Sequence, residues 1–256
     1  MSLRLPLSLV LALAAGCSDK ADPATPATDA GSDTPVDAKT DAPIDTAPPN
    51  CGAEPYVSYS LNLGLLDSTG THLTKGLKVR SSLCAAGTFA TTDAAGKATL
   101  FVTKGVPQTL HFESSFAFPG IEGELVLDAD DFRPGYMLLD SEAAAVLPGY
   151  DPKLGTLWVQ VEQAESDGCA DKAGVTVAVP SAPGAQISYL KGYKPTTDGA
   201  TSSEGLAVVT KVPLGTSVAV TATKTGCNLT TATRGYTGKY TTEAGAITYV
   251  MAWSVK

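Results

Sequence analysis

Thr92-Asp93-Ala94-Ala95-Gly96-Lys97-Ala98-Thr99-Leu100 is the stretch on which the fold reading turns. An aspartate placed three residues before a glycine marks a tight reversal. Asp93 can accept hydrogen bonds from nearby amides, and Gly96 can take the positive φ that such a turn requires. Immediately after it, Ala98, Leu100 and Val102 fall on one face of an extended chain. Alternation at period two is the mark of a half-buried strand.

The same texture extends both ways. Upstream, Val57, Tyr59, Leu61, Leu63 and Leu65 share one face, and Leu77 and Val79 follow. Downstream, Leu110 and Phe112 alternate with Thr109 and His111. Short alternating strands broken by turn residues argue for a sandwich. One helix is expected, from about Ser141 to Leu147, with Asp140 or Ser141 as N-cap and Pro148-Gly149 as its stop.

The second half repeats the design. Leu157, Val159 and Val161 open it, and Val175, Val177 and Val179 form the next strand. Leu206, Val208 and Thr210 come later, then Val218, Val220 and Ala222, and finally Ile247, Tyr249, Met251 and Trp253. Gly76-Leu77-Lys78-Val79 parallels Gly174-Val175-Thr176-Val177. The opening turn parallels Ser202-Ser203-Glu204-Gly205-Leu206-Ala207-Val208, and Val106-Pro107-Gln108-Thr109 parallels Val212-Pro213-Leu214-Gly215-Thr216. Gly174 and Gly205 stand further apart than Gly76 and Gly96, so the second copy carries an insertion of about eleven residues.

This order of motifs resembles the carboxypeptidase regulatory-like domain, a transthyretin-like β-sandwich, over most of 52–127 and 155–225. The resemblance implies an all-β chain: two tandem Ig-like or transthyretin-like antiparallel β-sandwiches behind a disordered tether. The expected boundaries are a leader at 1–16, a lipidated cysteine and tether at 17–50, a first sandwich with a short C-terminal helix at 51–150, and a second sandwich at 151–256. The join from Lys153 to Gly155 is short, which predicts a fixed pair. In carboxypeptidases this module accompanies a catalytic domain, for which nothing in this sequence stands.

The leader is read from Arg4, the apolar run to Ala15, and Leu13-Ala14-Ala15-Gly16-Cys17. The run is shorter than the roughly 20 residues a bilayer span needs. A short apolar run ending in small residues reads as a cleaved export signal. The stretch resembles the lipobox of bacterial lipoproteins, although Ala14 stands where that family prefers leucine. The resemblance implies that Cys17 carries palmitate-like acyl chains, each CH₂ anchoring by about 0.8 kcal/mol. In the lipoproteins this stretch resembles, Asp after the cysteine favours the inner membrane and Ser the outer, so Ser18 implies the outer membrane of the cell envelope, with Asp19 one place later. Ordinary secretion, with Cys17 cut off or disulfide-bonded, is the alternative. With the tether and paired sandwiches, the layout is similar to lipoproteins of predatory and soil deltaproteobacteria such as myxobacteria.

Residues 18–50 hold seven aspartates, two lysines and six prolines, with Val36 and Ile44 as the only large apolar side chains. Such a segment cannot offset its conformational entropy, and it is expected to stay disordered. As a flexible chain it spans about 30 Å. The whole chain has a net charge of −8. No basic patch survives that balance, which argues against a nucleic-acid partner.

With Cys17 lipidated, Cys51, Cys84, Cys169 and Cys227 remain. Four cysteines allow three connectivities. Cys51–Cys84 and Cys169–Cys227 are expected because each stays within one half; free buried thiols are the alternative.

Candidate sites are few. No GxSxG, HExxH or glycine-rich nucleotide motif occurs, so no catalytic residue and no cofactor are expected. His72 falls in the polar turn from Ser68 to Thr74, and His111 on the polar face of a strand. Asp128, Asp130 and Asp131 form the one acidic cluster, a weak Ca²⁺ candidate without the EF-hand pattern. Tyr189, Tyr193, Tyr236 and Tyr240 lie in or near glycine-rich loops and, where exposed, suit stacking on a sugar or a protein partner; packing at the sheet edges is the alternative. The 180–204 insertion and the 226–242 segment therefore form the expected binding surface. Three functional readings follow. The first is a non-enzymatic envelope lipoprotein that recognises a glycan, an envelope polymer or a protein. The second is an accessory subunit of a secretion or uptake complex. The third is a hydrolase with an unrecognised site.

Overall fold

The computed structural model describes residues 48–67, 70–162, 169 and 171–254. The expected leader, Cys17 and nearly all of the tether lie outside them. Among the described residues no helix is long and apolar enough to cross a membrane.

The first half runs β1 (Asn50–Cys51), β2 (Tyr56–Asp67), β3 (Gly70–Leu73), β4 (Lys78–Ser81), β5 (Ala90–Thr91), β6 (Lys97–Thr103), β7 (Gln108–Glu113), β8 (Gly120–Leu125), β9 (Asp131–Leu139) and the short helix α1 (Ser141–Ala145). One sheet has the order β1-β6-β2-β3, with β9 also on β2; the other continues β8-β7-β4-β5. The alternation seen in the sequence is what the core uses. Tyr59, Leu61 and Leu63 of β2 and Leu100 of β6 pack in one cluster with Val79, Leu110 and Phe112 of the facing sheet. Each such side chain contributes about 1.5–3 kcal/mol when withdrawn from water. Asn50, placed by the sequence reading in the tether, already belongs to a strand, and Cys51 beside it is bonded to Cys84.

The second half runs β10 (Gly155–Glu162), β11 (Thr176–Ala178), β12 (Gln186–Lys191), β13 (Lys194–Pro195), β14 (Leu206–Val212), β15 (Ser217–Ala219), β16 (Thr221–Thr223), β17 (Leu229–Thr230), β18 (Lys239–Thr241) and β19 (Ile247–Ser254). β10 pairs antiparallel with β14 and parallel with β19, as β2 pairs antiparallel with β6 and parallel with β9. β11–β16 and β15–β18 form two small separate sheets, and Val177, Val218 and Tyr240 from them join Leu157 and Val159 of β10 in a second core. Cys169 is bonded to Cys227, so the pairing expected within each half is the one formed.

Matching hydrogen bonds make the repeat physical. The Thr92 hydroxyl accepts from Leu77 N–H at 2.9 Å and donates to the Thr74 carbonyl at 2.7 Å. The Thr201 hydroxyl accepts from Val175 N–H at 3.0 Å and donates to the Lys172 carbonyl at 2.6 Å. Leu63 N–H donates to the Gly96 carbonyl, and Val161 N–H to the Gly205 carbonyl. Gly96 and Gly205 take φ of 72° and 70°, the left-handed region that favours glycine. Thr92 therefore answers to Thr201, one residue before the stretch the sequence comparison began from.

The halves differ in what occupies the outer edge of the repeated antiparallel pair. In the first, β6 takes the two-residue β1 in parallel. In the second, the insertion supplies β12, which runs antiparallel along β14 from Gln186 to Leu190 and turns back as β13.

Most ladders are antiparallel, but β8 also pairs in parallel with β19, matching Gly120 to Ile247 and Glu122 to Tyr249. That ladder runs one sheet through both halves in the order β13-β12-β14-β10-β19-β8-β7-β4-β5. β10 and β19, at its centre, are buried on both faces, so Thr156, Trp158, Ile247 and Tyr249 on one face are as enclosed as Leu157, Val159, Thr248 and Val250 on the other. Gly123 of β8 lies so close to Tyr240 that an added Cβ would sit 2.3 Å from its ring.

Candidate functional site

A cleft of about 490 Å³ opens where α1, the ends of β2 and β9, and the β12–β13 hairpin meet. Its floor is apolar, with Leu66, Leu139, Leu147 and Trp158; Asp140, Glu142 and Lys194 stand among its polar lining. Both halves of the chain contribute.

The α1 wall is set by its cap. Asp140 is extended and accepts from Ala143 N–H, as an N-cap side chain does. The Asp140 amide donates to the Leu66 carbonyl at 3.1 Å, which fastens the cap to β2. Ala144 and Leu147 turn inward, while Val146 is 80% exposed beside the cleft. The helix ends at Ala145, with Val146 as its C-cap, two residues short of the sequence expectation. Leu147 N–H donates to the Ala144 carbonyl beyond it.

The opposite wall is a hairpin tip. Gly192 and Tyr193 have φ of 56° and 60° between the paired Lys191 and Lys194, the dihedral pattern of a two-residue type I′ turn. Glycine is at home there; a tyrosine at positive φ is an outlier. Gly192 N–H is held by both oxygens of the Glu204 carboxylate, at 2.9 and 2.8 Å. The Tyr193 ring lies nearly parallel to buried Trp158, with centroids 6.4 Å apart and planes 17° apart. Tyr193 is nevertheless 52% exposed. Among the described residues, neither Glu142 nor Lys194 has a hydrogen-bonding or ionic side-chain partner.

The other three tyrosines, Tyr189, Tyr236 and Tyr240, are core residues, so they follow the packing alternative and present no exposed stacking face. The Tyr189 hydroxyl accepts from Val177 N–H at 2.9 Å. Tyr240 is wholly buried and donates to the Thr231 carbonyl at 3.0 Å. Tyr236 donates to Glu122, and its ring packs on Trp253 with centroids 5.1 Å apart. Buried tyrosines need a partner for the hydroxyl, and a glycine-rich neighbourhood does not reveal whether one is waiting. The sequence missed Trp158, Glu142 and Lys194. The glycine before Tyr193 was the available signal for an exposed tip.

The acidic cluster does not converge. Asp130 accepts from Ser58 N–H, which holds its carboxyl below the usual range. Asp131 pairs with Arg133 at 2.8 Å, and Asp128 stands exposed. Among the described residues no three metal-ligating side chains come together, so the Ca²⁺ candidate does not hold. His72 sits exposed on β3 rather than in a turn. His111 is half-buried, lies 3.4 Å from the Thr109 hydroxyl, and is held below its ordinary pKa by burial and then by Arg80.

One buried charge lies apart from the cleft. Glu122 of β8 is fully buried; the Tyr59 and Tyr236 hydroxyls donate to it. Burial raises its pKa to about 7, against the opposing pull of Arg133 and the Tyr59 hydrogen bond. Arg133 ties the same place together by packing on the Tyr236 ring and donating to the Arg234 carbonyl. Glu122 thus sits where strands of both halves meet.

Neither a family model nor a curated protein matches the chain. Among solved structures it is similar to the Bacillus anthracis TIE protein at 13% identity, covering 78% of this chain and 34% of that one, with a TM-score of 0.23. The minor pilin of Streptococcus agalactiae aligns at 11% identity over 78% of this chain and 97% of its own, with a TM-score of 0.23. A double mutant of the shaft pilin SpaA from Lactobacillus rhamnosus GG gives 9% identity, 78% and 98% coverage, and a TM-score of 0.26. Superpositions this loose carry no argument about activity.

Proposed function

We propose that this chain is a non-enzymatic envelope lipoprotein, held to the outer membrane by acylated Cys17, whose folded part recognises a ligand in the cleft between α1 and the β12–β13 hairpin. The observation that carries the reading is Tyr193. A bulky residue in left-handed backbone costs about 1–2 kcal/mol, and here it keeps an aromatic ring half in solvent over an apolar floor. Strain retained at an exposed ring supports a binding role. The cleft has the size and apolar lining typical of ligand sites. The lipid anchor rests on the Leu13–Cys17 stretch alone.

The test passes envelope extracts over the immobilised whole protein, wild type beside Tyr193→Ala. A component retained by the first and lost by the second is the expected result. Equal retention by both overturns the cleft as the site. For the anchor, Cys17→Ser is expected to move the protein from the detergent phase to the aqueous phase in phase partitioning. Unchanged partition would remove the lipoprotein assignment.

A further inference from the structure

The polar groups around Tyr193 narrow the chemistry of the ligand, on the premise that the cleft is the binding site. We infer that it takes a neutral, hexopyranose-containing glycan, one sugar ring stacking on the open face of Tyr193 while Glu142 and Lys194 bond its hydroxyls.

The inner face of Tyr193 is already supported by Trp158, and the Gly192 amide is clamped by Glu204. The turn is thus tied down at Gly192, and the ring lies beside Trp158 while about half of Tyr193 remains exposed. Beside it stand an acceptor, Glu142, and a donor, Lys194, that have no side-chain partner among the described residues. A pyranose presents an apolar C–H face and a rim of hydroxyls that both donate and accept. The C–H face meets the negative face of an aromatic ring favourably. The hydroxyl rim suits a carboxylate and an ammonium together.

Other ligand classes fit worse. Glu142 and Asp140 oppose phosphate or uronate groups, and Lys194 opposes a cationic head. An acyl chain filling the cleft would strip water from Glu142 and Lys194 and return nothing. An extended peptide docks by sharing amides with a sheet edge. The strand at the cleft rim, β13, carries Pro195, which has no amide hydrogen to give. The volume of about 490 Å³ accommodates a ring and part of its neighbours in an open cleft.

The experiment titrates the whole protein calorimetrically with cellohexaose, maltohexaose and chitohexaose. A proline-rich decapeptide and phosphatidylcholine vesicles serve as the competing classes. At least one hexasaccharide is expected to bind. Tyr193→Ala should weaken it about tenfold or more, Tyr193→Phe should preserve it, and Glu142→Gln or Lys194→Met should cost about threefold each. Matching melting curves establish that the variants fold. No heat from any hexasaccharide at roughly 10 mM, or an affinity unchanged by Tyr193→Ala, overturns the inference. If the hexasaccharides fail while retention of an envelope component still depends on Tyr193, the sugar assignment falls and the cleft stands. If retention is indifferent to Tyr193, both fall.

Discussion

The two halves close their central turns with the same bonds and use their outer edges differently. Thr92 and Thr201 each bridge an amide and a carbonyl, in the same register, behind glycines of nearly equal φ. Beyond that frame the first half spends two residues on β1, whereas the second builds a hairpin that carries Tyr193 into the cleft. The difference teaches where novelty enters a repeated sandwich. The frame is fixed by buried hydrogen bonds, which are costly to leave unmade, and the edge is free to grow.

The two bridges give the largest expected effect. Opening Cys51–Cys84 or Cys169–Cys227 by paired serine substitutions is expected to cost about 4 kcal/mol each in urea unfolding. The second should cost slightly more, because its separation is 58 residues against 33. A bridge whose loss costs nothing would show that its half is not held by it.

Glu122 sharpens the comparison at the place where the halves join. Its pKa rises from an ordinary 4.5 to about 7 on folding. The folded protein therefore holds this proton where the unfolded chain has released it. The group's contribution is full below about 4.5, declines as pH rises toward 7, and is level above that. Glu122→Gln, which keeps the shape and cannot ionise, is expected to be a few kcal/mol more stable than the wild type at pH 8 and close to it at pH 4. Unfolding curves at the two pH values that differ by the same amount would sink the assignment.

Thr92→Val and Thr201→Val each leave a buried amide without its acceptor. Each is expected to lose about 1–3 kcal/mol, and the two losses should match. A large loss at Thr92 with none at Thr201 would break the equivalence of the halves. The smallest effect on stability is expected at the hairpin tip. Tyr193→Gly removes the ring's stacking, about 0.5–1.5 kcal/mol, and relieves positive-φ strain of similar size. Melting should stay nearly level while ligand retention falls.

The strands and turns were legible because period-two alternation and glycine turns act locally. Leu61, Leu100 and Phe112 are buried as their spacing implies, and Asp140 caps the one helix that the Pro148-Gly149 stop announces. The seam was not legible. Residues 120–125 read Gly-Ile-Glu-Gly-Glu-Leu, with two acids and two glycines where a core strand should show apolar side chains. All but half-buried Glu124 are buried because β19, more than a hundred residues away in sequence, lies beside them and Tyr59 and Tyr236 satisfy Glu122. No local pattern encodes such a partner. The tyrosines failed for the same reason: Tyr189 and Tyr240 have distant amide and carbonyl partners that decide their burial.

The ladder between β8 and β19 also has a consequence for how the molecule comes into being. A ribosome delivers the chain from its N-terminal end, so β8 and β10 emerge long before the strand that must lie between them. Until residues 247–254 arrive, β8 and β10 each present an unsatisfied edge, the kind of surface that recruits wrong partners. The β8–β19 ladder is thus a contact of high sequence separation, the class of contact that slows folding in general. A nascent chain stalled before Ile247 would be open at its centre, however complete its two flanks.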